Sequence, residues 1–189
     1  MTKNANFKEQ KIIGGMKLKV IFLDIDGVMN STDYIIKNNI KGLITEIDPK
    51  AIQMLKFALD VTGAQIVLSS SWRYCHICEE LKELFSKYGI NLNEKTPELH
   101  THKRGLEIKQ YLKEHPNIEQ YLILDDEIFD FYEDEELKEN LILTRENPND
   151  YSGGDGLQIK HIEQIMRRFG RAKNKEQEQI QVHEHDEER

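Results

Sequence analysis

Cysteine and long apolar stretches are both scarce in this chain of 189 residues. The two cysteines, Cys75 and Cys78, are too few for the disulfide framework that stabilises small secreted domains. The longest apolar runs fall well short of the roughly 20 residues that a membrane-spanning helix needs. Residues 1–10 are polar and lack the apolar core of a secretory signal, so we expect a cytoplasmic protein with no membrane association.

Positive charge is also in deficit. The chain has 34 acidic residues against 26 lysines and arginines, for a net charge of -8. Proteins that coat nucleic acids or anionic membranes need clustered positive charge, so this balance argues against both classes. A local group of basic residues at one site remains compatible with it. The length suits one domain with a sizeable core.

The two ends of the chain differ in composition from its middle. Residues 1–15 contain scattered lysines and asparagines and end in two glycines, directly before the first apolar run. In residues 171–189, ten of nineteen residues are charged, and such a segment buries too little apolar surface to offset the entropy lost on ordering. We therefore predict a flexible leader over 1–15, one domain over 16–170 and a disordered tail over 171–189.

Short apolar runs alternate with helical patterns between those ends. Unbroken apolar runs are typical of strands that are buried on both faces. Helical spacing separates them, and Asp48-Pro49 supplies an N-cap and a first-turn proline for one of the helices. Together these patterns predict an α/β domain with a doubly wound, mostly parallel sheet. The predicted strands are residues 19–23, 65–68, 121–124 and 141–143.

Polar side chains follow the predicted strands, at the sheet edge where doubly wound domains bind ligands. Carboxylates follow two of the strands, a serine run follows another, and two cations precede a helix. Several carboxylates at one point raise one another's pKa unless a cation neutralises them, and all-oxygen ligation suits Mg²⁺. The residues concerned are Asp24, Asp26, Ser69, Ser70, Ser71, Lys103, Arg104, Asp125, Asp126 and Asp130.

This set of groups can transfer a phosphoryl group. With a metal on one side, a hydroxyl and a cation can hold the remaining phosphate oxygens. A free carboxylate can attack phosphorus in line and form an aspartyl-phosphate. A second carboxylate two residues along can protonate the leaving oxygen and then activate water.

Four motifs in this order resemble those of the haloacid dehalogenase (HAD) superfamily of phosphotransferases. They are Asp24-Ile25-Asp26-Gly27-Val28, Leu68-Ser69, Lys103-Arg104-Gly105 and Leu124-Asp125-Asp126. The longer stretches 24–30, 67–73, 104–108 and 123–126 resemble the HAD domains of RNA-repair ("Swiss army knife") proteins. The resemblance extends from residue 18 to about residue 169 and implies an HAD-like phosphatase domain.

The resemblance implies a catalytic role for each matching residue. Asp24 would be the nucleophile, Asp26 the general acid and base, and Ser69 the hydroxyl of the second motif. Either Lys103 or Arg104 would supply the cation that neutralises the phosphate. An aspartate at the position of Asp26 favours phosphatase over ATPase-like chemistry.

The resemblance also implies a Mg²⁺ site. Ser70 and Arg73 are candidate substrate-binding residues. Eight of the twelve residues 125–136 are acidic, so a nucleic-acid strand would have to approach along Arg73, Lys103, Arg104 and Arg145. The metal ligands implied are Asp24, Asp26 through its backbone carbonyl, and Asp126, with Asp125 and Asp130 as outer partners.

The segments 27–47 and 70–102 are too short to hold a folded cap, so we expect an open site. The resemblance implies that open members act on nucleic-acid ends, phosphoproteins or small nucleotides. The leading hypothesis is a Mg²⁺-dependent phosphomonoester hydrolase acting on nucleic-acid ends or nucleotides through an aspartyl-phosphate. The alternatives are a protein-phosphotyrosine phosphatase on the same scaffold and a phosphate- or metal-binding module without turnover.

Two further features have competing interpretations. Cys75 and Cys78 have the spacing of half a zinc site, which His100 and His102 could complete, although buried packing is the commoner fate of helix cysteines. Trp72 either packs beneath the site or stacks on a nucleobase.

Overall fold

The computed structural model describes residues 17–74, 77–100, 103–146 and 155–170. Five strands form one sheet in the order β3-β2-β1-β4-β5, and every neighbouring pair is parallel. The predicted doubly wound α/β fold is confirmed, with a sheet that is parallel throughout these residues. The strands are β1 Leu18–Leu23, β2 Gln65–Leu68, β3 Glu94–Lys95, β4 Ile118–Asp125 and β5 Leu141–Leu143.

Helices connect the strands, and helix α2 begins as its sequence predicts. The Asp48 carboxylate accepts a hydrogen bond from the backbone N–H of Lys50 at 2.8 Å, and Pro49 is the first helical residue. None of the helices among the described residues is long and apolar enough to cross a bilayer. The helices are α1 Thr32–Lys37, α2 Pro49–Thr62, α3 Ile77–Ser86, α4 Arg104–Glu114, α5 Glu135–Asn140 and α6 over 159–170.

An apolar core covers each face of the sheet, because successive side chains of a strand point to opposite faces. Ile21 and Leu23 of β1 pack on one face with residues of α2, α3 and α6. Val20 and Phe22 pack on the other face with residues of α4 and α5. The strands are therefore buried on both sides, which explains their unbroken apolar runs.

The two segments that could hold a cap contain only small elements. Residues 27–47 form α1 and a 3₁₀ turn at Leu43–Glu46, and the described part of 70–102 forms a 3₁₀ turn at Ser71–Tyr74, α3 and β3. The described residues thus include no sizeable cap. The predicted leader and tail lie outside those residues, and the three-part division of the chain stays a prediction.

The strand register sets the site residues side by side at the carboxyl edge of the sheet. Leu23 of β1 pairs with Leu68 of β2 and with Leu124 of β4. The residue that follows Leu23, Asp24, is therefore a neighbour of Ser69 on one side and of Asp125 on the other. Backbone hydrogen bonds continue the pairing there, since the N–H of Asp24 donates to the carbonyl of Leu124 at 2.9 Å. Topology alone therefore brings three of the four motifs together.

Candidate active site

Three buried carboxylates meet at this edge. Asp24, Asp125 and Asp126 each offer an oxygen, and these oxygens lie within 4.8 Å of one another. Burial raises the pKa of all three carboxyl groups, and the charge of Asp24 adds to the rise at Asp125. Carboxylates that are desolvated and crowded in this way are stabilised by a neighbouring cation.

Arg104, the first residue of α4, bridges two of these carboxylates. Its Nη1 forms an ion pair with Asp125 Oδ2 and lies 3.1 Å from Asp24 Oδ2. Burial lowers the pKa of Arg104, but the two carboxylates together raise it above its ordinary value, so the guanidinium stays charged. The ring of Phe129 covers this guanidinium, with its centroid 4.3 Å from Arg104 Cζ.

Lys103, the alternative cation of the third motif, lies at the N-cap position of α4. Its Nζ forms an ion pair with Glu133 at 3.0 Å, and both side chains are exposed. The structure therefore brings Arg104, and not Lys103, into contact with Asp24.

Asp126 lies between a guanidinium group and a glycine. Its Oδ2 is 2.5 Å from Nη2 of Arg145, an ion pair that partly offsets the effect of burial on the pKa of Asp126. Gly27 has a φ of 66°, and a Cβ at this position would fall 2.3 Å from Cγ and Oδ2 of Asp126. Both the turn and the close approach of Asp126 thus require glycine here.

Asp26 is exposed, and both of its carboxylate oxygens accept hydrogen bonds. Trp72 Nε1 donates to Oδ2 at 2.9 Å, and Asn30 Nδ2 donates to Oδ1 at 3.1 Å. Asn30 Oδ1 accepts in turn from the backbone N–H of Gly27 at 2.8 Å. Trp72 is buried, which agrees with the packing alternative, and its contact with Asp26 was not expected from the sequence.

The hydroxyl groups of the serine run 69–71 have different surroundings. The Ser70 hydroxyl donates to the Asp24 carboxylate, which lowers the pKa of Asp24 against the effect of burial. The Ser69 hydroxyl is fully buried and finds no hydrogen-bond partner among the described residues. Ser71 lines the cleft above the carboxylates. The phosphate contact of Ser69 stays a prediction, whereas Ser70 touches the candidate nucleophile directly.

Arg73 lies behind the site and has contacts that differ from the prediction. It is 4% exposed, and its Nη1 donates to the carbonyl oxygens of Ser69 and Ser70. Its Nη2 forms a buried ion pair with Glu107 of α4. These contacts join the second motif to the helix that bears the third. They give Arg73 a structural role, and its contact with substrate stays a prediction.

Asp130 is not one of the three clustered carboxylates, and its role as an outer metal partner stays a prediction. Its Oδ1 accepts a hydrogen bond from the backbone N–H of Gly105 at 2.9 Å. A Cβ on Gly105 would lie 2.8 Å from Asp130 Oδ2, so the approach requires a glycine. Asp130 therefore holds the first turn of α4, and with it Arg104, at the sheet edge.

Two other predictions concern the basic approach residues and a zinc site. The four predicted approach residues do not form an exposed basic track, because Arg73 and Arg145 are buried and Arg104 is nearly so. Cys75 and His102 lie outside the described residues, so the zinc hypothesis stays untested.

An open cleft of about 420 Å³ lies above the carboxylates. Asp24, Asp26 and Asp126 line it together with Arg104 and Arg145, and residues of α1 form part of its wall. Three buried carboxyl groups face two guanidinium groups, so acidic groups outnumber basic ones in the cluster. The ligand atoms that the cluster offers to a metal ion are carboxylate oxygens, which Mg²⁺ prefers. The residues present therefore fit a divalent cation.

Comparison with known proteins agrees with this geometry. The chain matches the family model described as HAD domain in Swiss Army Knife RNA repair proteins over residues 20–148, which is more than half of its length. Every residue that lines the cleft falls within the matched region. No curated protein and no solved structure gives a significant match.

Proposed function

The chain belongs to the family of HAD domains in Swiss Army Knife RNA repair proteins, and on that premise we propose that it is a Mg²⁺-dependent phosphomonoester hydrolase. HAD domains are generally phosphatases, and the buried carboxylate cluster is compatible with a metal site. The observation that carries the proposal is the contact of Arg104 with both Asp24 and Asp125 beside Asp126. This arrangement provides a nucleophile, a cation and metal ligands within one cleft.

Asp24, Asp126 and the backbone carbonyl of Asp26 would hold the Mg²⁺ ion, and Asp125 would support it from outside. When bound, the ion would supply positive charge that stabilises the developing negative charge on the phosphoryl oxygens. Burial raises the pKa of Asp24, Asp125 and Asp126, and the charge of Asp24 adds to the rise at Asp125; a bound cation would favour the ionised form of all three, which supports this assignment.

The first chemical step would be attack of an Asp24 carboxylate oxygen on phosphorus. The bond from phosphorus to the leaving oxygen breaks, and Asp26 donates a proton to that oxygen. Arg104 and the Ser70 hydroxyl contact Asp24, favour its ionised form against the effect of burial on its pKa, and orient it for attack. The product of this step is an aspartyl-phosphate on Asp24.

The second step would be hydrolysis of that intermediate. Asp26, now ionised, accepts a proton from water while the water oxygen attacks phosphorus. The bond between phosphorus and Asp24 breaks, and inorganic phosphate leaves with the carboxylate restored. Trp72 and Asn30 contact the two oxygens of Asp26 and set its direction in both steps.

We propose nucleic-acid ends or nucleotides as the substrates. The open cleft and the absence of a sizeable cap among the described residues support substrates larger than a metabolite. A phosphotyrosine phosphatase would share the same chemistry, so the two functions are separated by substrate and not by mechanism.

A phosphatase panel with Mg²⁺ tests this proposal. We expect release of phosphate from phosphorylated oligonucleotides or mononucleotides and little from phosphotyrosine peptides. The substitution Asp24→Asn should abolish turnover, because an amide oxygen is a poor nucleophile. The matched control is Asp60→Asn on the exposed surface of α2, which should leave turnover unchanged. Turnover by Asp24→Asn at the rate of the control would overturn the assignment.

A further inference from the structure

A second cavity of about 400 Å³ adjoins the catalytic cleft. The two cavities share Ser71, Arg104 and Phe129 in their walls. A molecule whose phosphate lies over Asp24 can therefore extend past Arg104 into the second cavity. The chemistry proposed above makes no use of this space.

Two aromatic side chains line the second cavity, and an arginine lies against the ring of each. Arg104 Cζ is 4.3 Å from the centroid of Phe129, and Arg73 Cζ is 4.1 Å from that of Tyr74. Both rings nevertheless stay accessible, since Phe129 is 38% exposed and Tyr74 is 46% exposed. An aromatic ring that lies against an arginine and is partly exposed can stack against a flat group of a ligand.

The backbone at this cavity is strained. Of the three non-glycine residues with positive φ among the described ranges, two line the cavity: Phe129 at 43° and His100 at 54°. A positive φ is unfavourable for a bulky residue such as phenylalanine. Strained residues concentrate at ligand sites, where the placement of the side chain compensates for their cost.

The polar groups of the cavity indicate what it would bind. Glu98 and His100 are exposed, and the Glu98 carboxylate lies 3.3 Å from His100 Nδ1. A carboxylate accepts hydrogen bonds from the amino groups of nucleobases. Phe129 itself belongs to the acidic segment 125–136, which would repel an additional phosphate. The wall therefore suits a neutral aromatic group with hydrogen-bond donors.

We propose that this cavity binds the nucleoside of the leaving group, with its base stacked on Phe129 and its ribose spanning the shared wall. The proposal rests on the phosphatase function and identifies which part of the substrate each cavity holds. In a phosphotyrosine the ring is bonded to the phosphate oxygen, so it would lie nearer to the carboxylates than the base of a nucleotide. In a nucleotide, the ribose separates the base from the phosphate, so the base would lie in the second cavity while the phosphate lies over the carboxylates.

The test compares two substrates that share the phosphate but differ in the leaving group. Adenosine monophosphates (3′ and 5′) present a base, whereas glycerol 2-phosphate carries no base. Stacking on one aromatic ring contributes about tenfold or more to binding. We expect Phe129→Leu to lower kcat/KM for a nucleotide about tenfold relative to glycerol 2-phosphate, and Tyr74→Ala to lower the same ratio through loss of the second ring that lines the cavity.

Leucine keeps an apolar side chain over Arg104, and the ratio of the two substrates cancels any effect on the shared chemistry. The matched control is Tyr132→Ala, an exposed aromatic that lines neither cavity and should leave the ratio unchanged. An unchanged ratio in both Phe129→Leu and Tyr74→Ala would overturn the proposal. A selective loss for a phosphotyrosine peptide in Phe129→Leu would replace the nucleoside with a peptide.

Binding of adenosine alone separates this proposal from the phosphatase function. Titration of adenosine into the intact protein, followed by ligand-observed NMR, needs no turnover. Binding that weakens in Phe129→Leu but not in Tyr132→Ala would support the nucleoside site even if no phosphate ester were hydrolysed. Absence of adenosine binding in a wild-type protein that hydrolyses glycerol 2-phosphate would refute the site and leave the hydrolase intact.

Discussion

Trp72 Nε1 donates a 2.9 Å hydrogen bond to Asp26 Oδ2, and this bond joins the second motif to the first. Asp26 is exposed, and a carboxylate at that position has several rotamers open to it unless a neighbour holds it. Trp72 is buried and cannot move without disturbing the core around it. We infer that Trp72 positions Asp26, the proposed general acid and base.

Removal of that hydrogen bond should slow turnover. A hydrogen bond to a charged group contributes about 1.5–3 kcal/mol, so we expect Trp72→Phe to lower kcat about tenfold to a hundredfold with a smaller change in KM. Steady-state kinetics measure both constants. Since the chain has one tryptophan, a second measurement is available: Asp26→Ala should change its fluorescence emission. Unchanged emission and an unchanged kcat in Trp72→Phe would contradict the positioning role.

Arg104 and Lys103 offer a matched pair for the third motif. Arg104 contacts Asp24 and Asp125, whereas Lys103 forms an exposed ion pair with Glu133. We expect Arg104→Ala to abolish phosphatase activity and to destabilise the fold, because it leaves a buried carboxylate pair without its cation. Lys103→Ala should change kcat/KM less than about threefold, since exposed ion pairs contribute little. A larger loss in Lys103→Ala than in Arg104→Ala would reverse this assignment.

The buried ion pair of Arg73 and Glu107 should contribute to stability and not to substrate recognition. Removal of one partner of such a pair typically costs about 3–5 kcal/mol, so we expect Glu107→Gln and Arg73→Met to lower the free energy of unfolding in urea. The double variant should recover part of this loss. Arg73 also lines the second cavity and lies against the ring of Tyr74, so any selective effect of Arg73→Met on KM for an oligonucleotide should not exceed that of Tyr74→Ala. A larger selective rise would make Arg73 a direct substrate contact.

The sequence predicts the sheet and the central carboxylates because both follow from local patterns. Four apolar runs predict β1, β2, β4 and β5, and polar residues at their ends predict Asp24, Asp125 and Asp126 at one edge. Strand β3 has two residues and α1 has six, so neither shows a periodic pattern that could be detected.

The contacts of Arg73 and Asp130 depend on side-chain direction, which local sequence patterns do not give. Arg73 follows a strand, as a ligand-binding residue would, yet its guanidinium turns inward to Glu107 on a helix 34 residues away. Asp130 has the spacing of an outer metal partner, yet it caps the start of α4 through Gly105. Asn30 lies within the stretch that carries the family resemblance, so that stretch was the available signal for its contact with Asp26.

His161 should make stability depend on pH between about 6.5 and 4. Burial lowers the pKa of His161 to about 4, with a further contribution from Lys160, while Asp155 and Glu146 act in the opposite direction. Its Nδ1 accepts a hydrogen bond from the backbone N–H of Gln158 at 3.0 Å, as the neutral ring requires. The unfolded chain therefore binds a proton in this window before the folded one does, and stability falls as the pH falls.

The size of this stability loss follows from the difference between the pKa of His161 in the unfolded chain and in the folded chain. We expect wild type to lose about 2 kcal/mol more than His161→Gln between pH 7 and pH 5. Urea unfolding at the two pH values measures both losses, and the comparison removes the contribution of carboxylates common to the two proteins. Equal losses in wild type and His161→Gln would show that the ring is not buried in its neutral form.

The central claim is that Asp24 carries the phosphoryl group during turnover. Acid quenching of the protein with Mg²⁺ and a phosphorylated substrate, followed by mass spectrometry of the peptide that contains Asp24, measures this directly. We predict one added phosphoryl group on Asp24 in wild type and none in Asp24→Asn or when Mg²⁺ is withheld. A phosphoryl group found on a different residue during turnover would contradict the account.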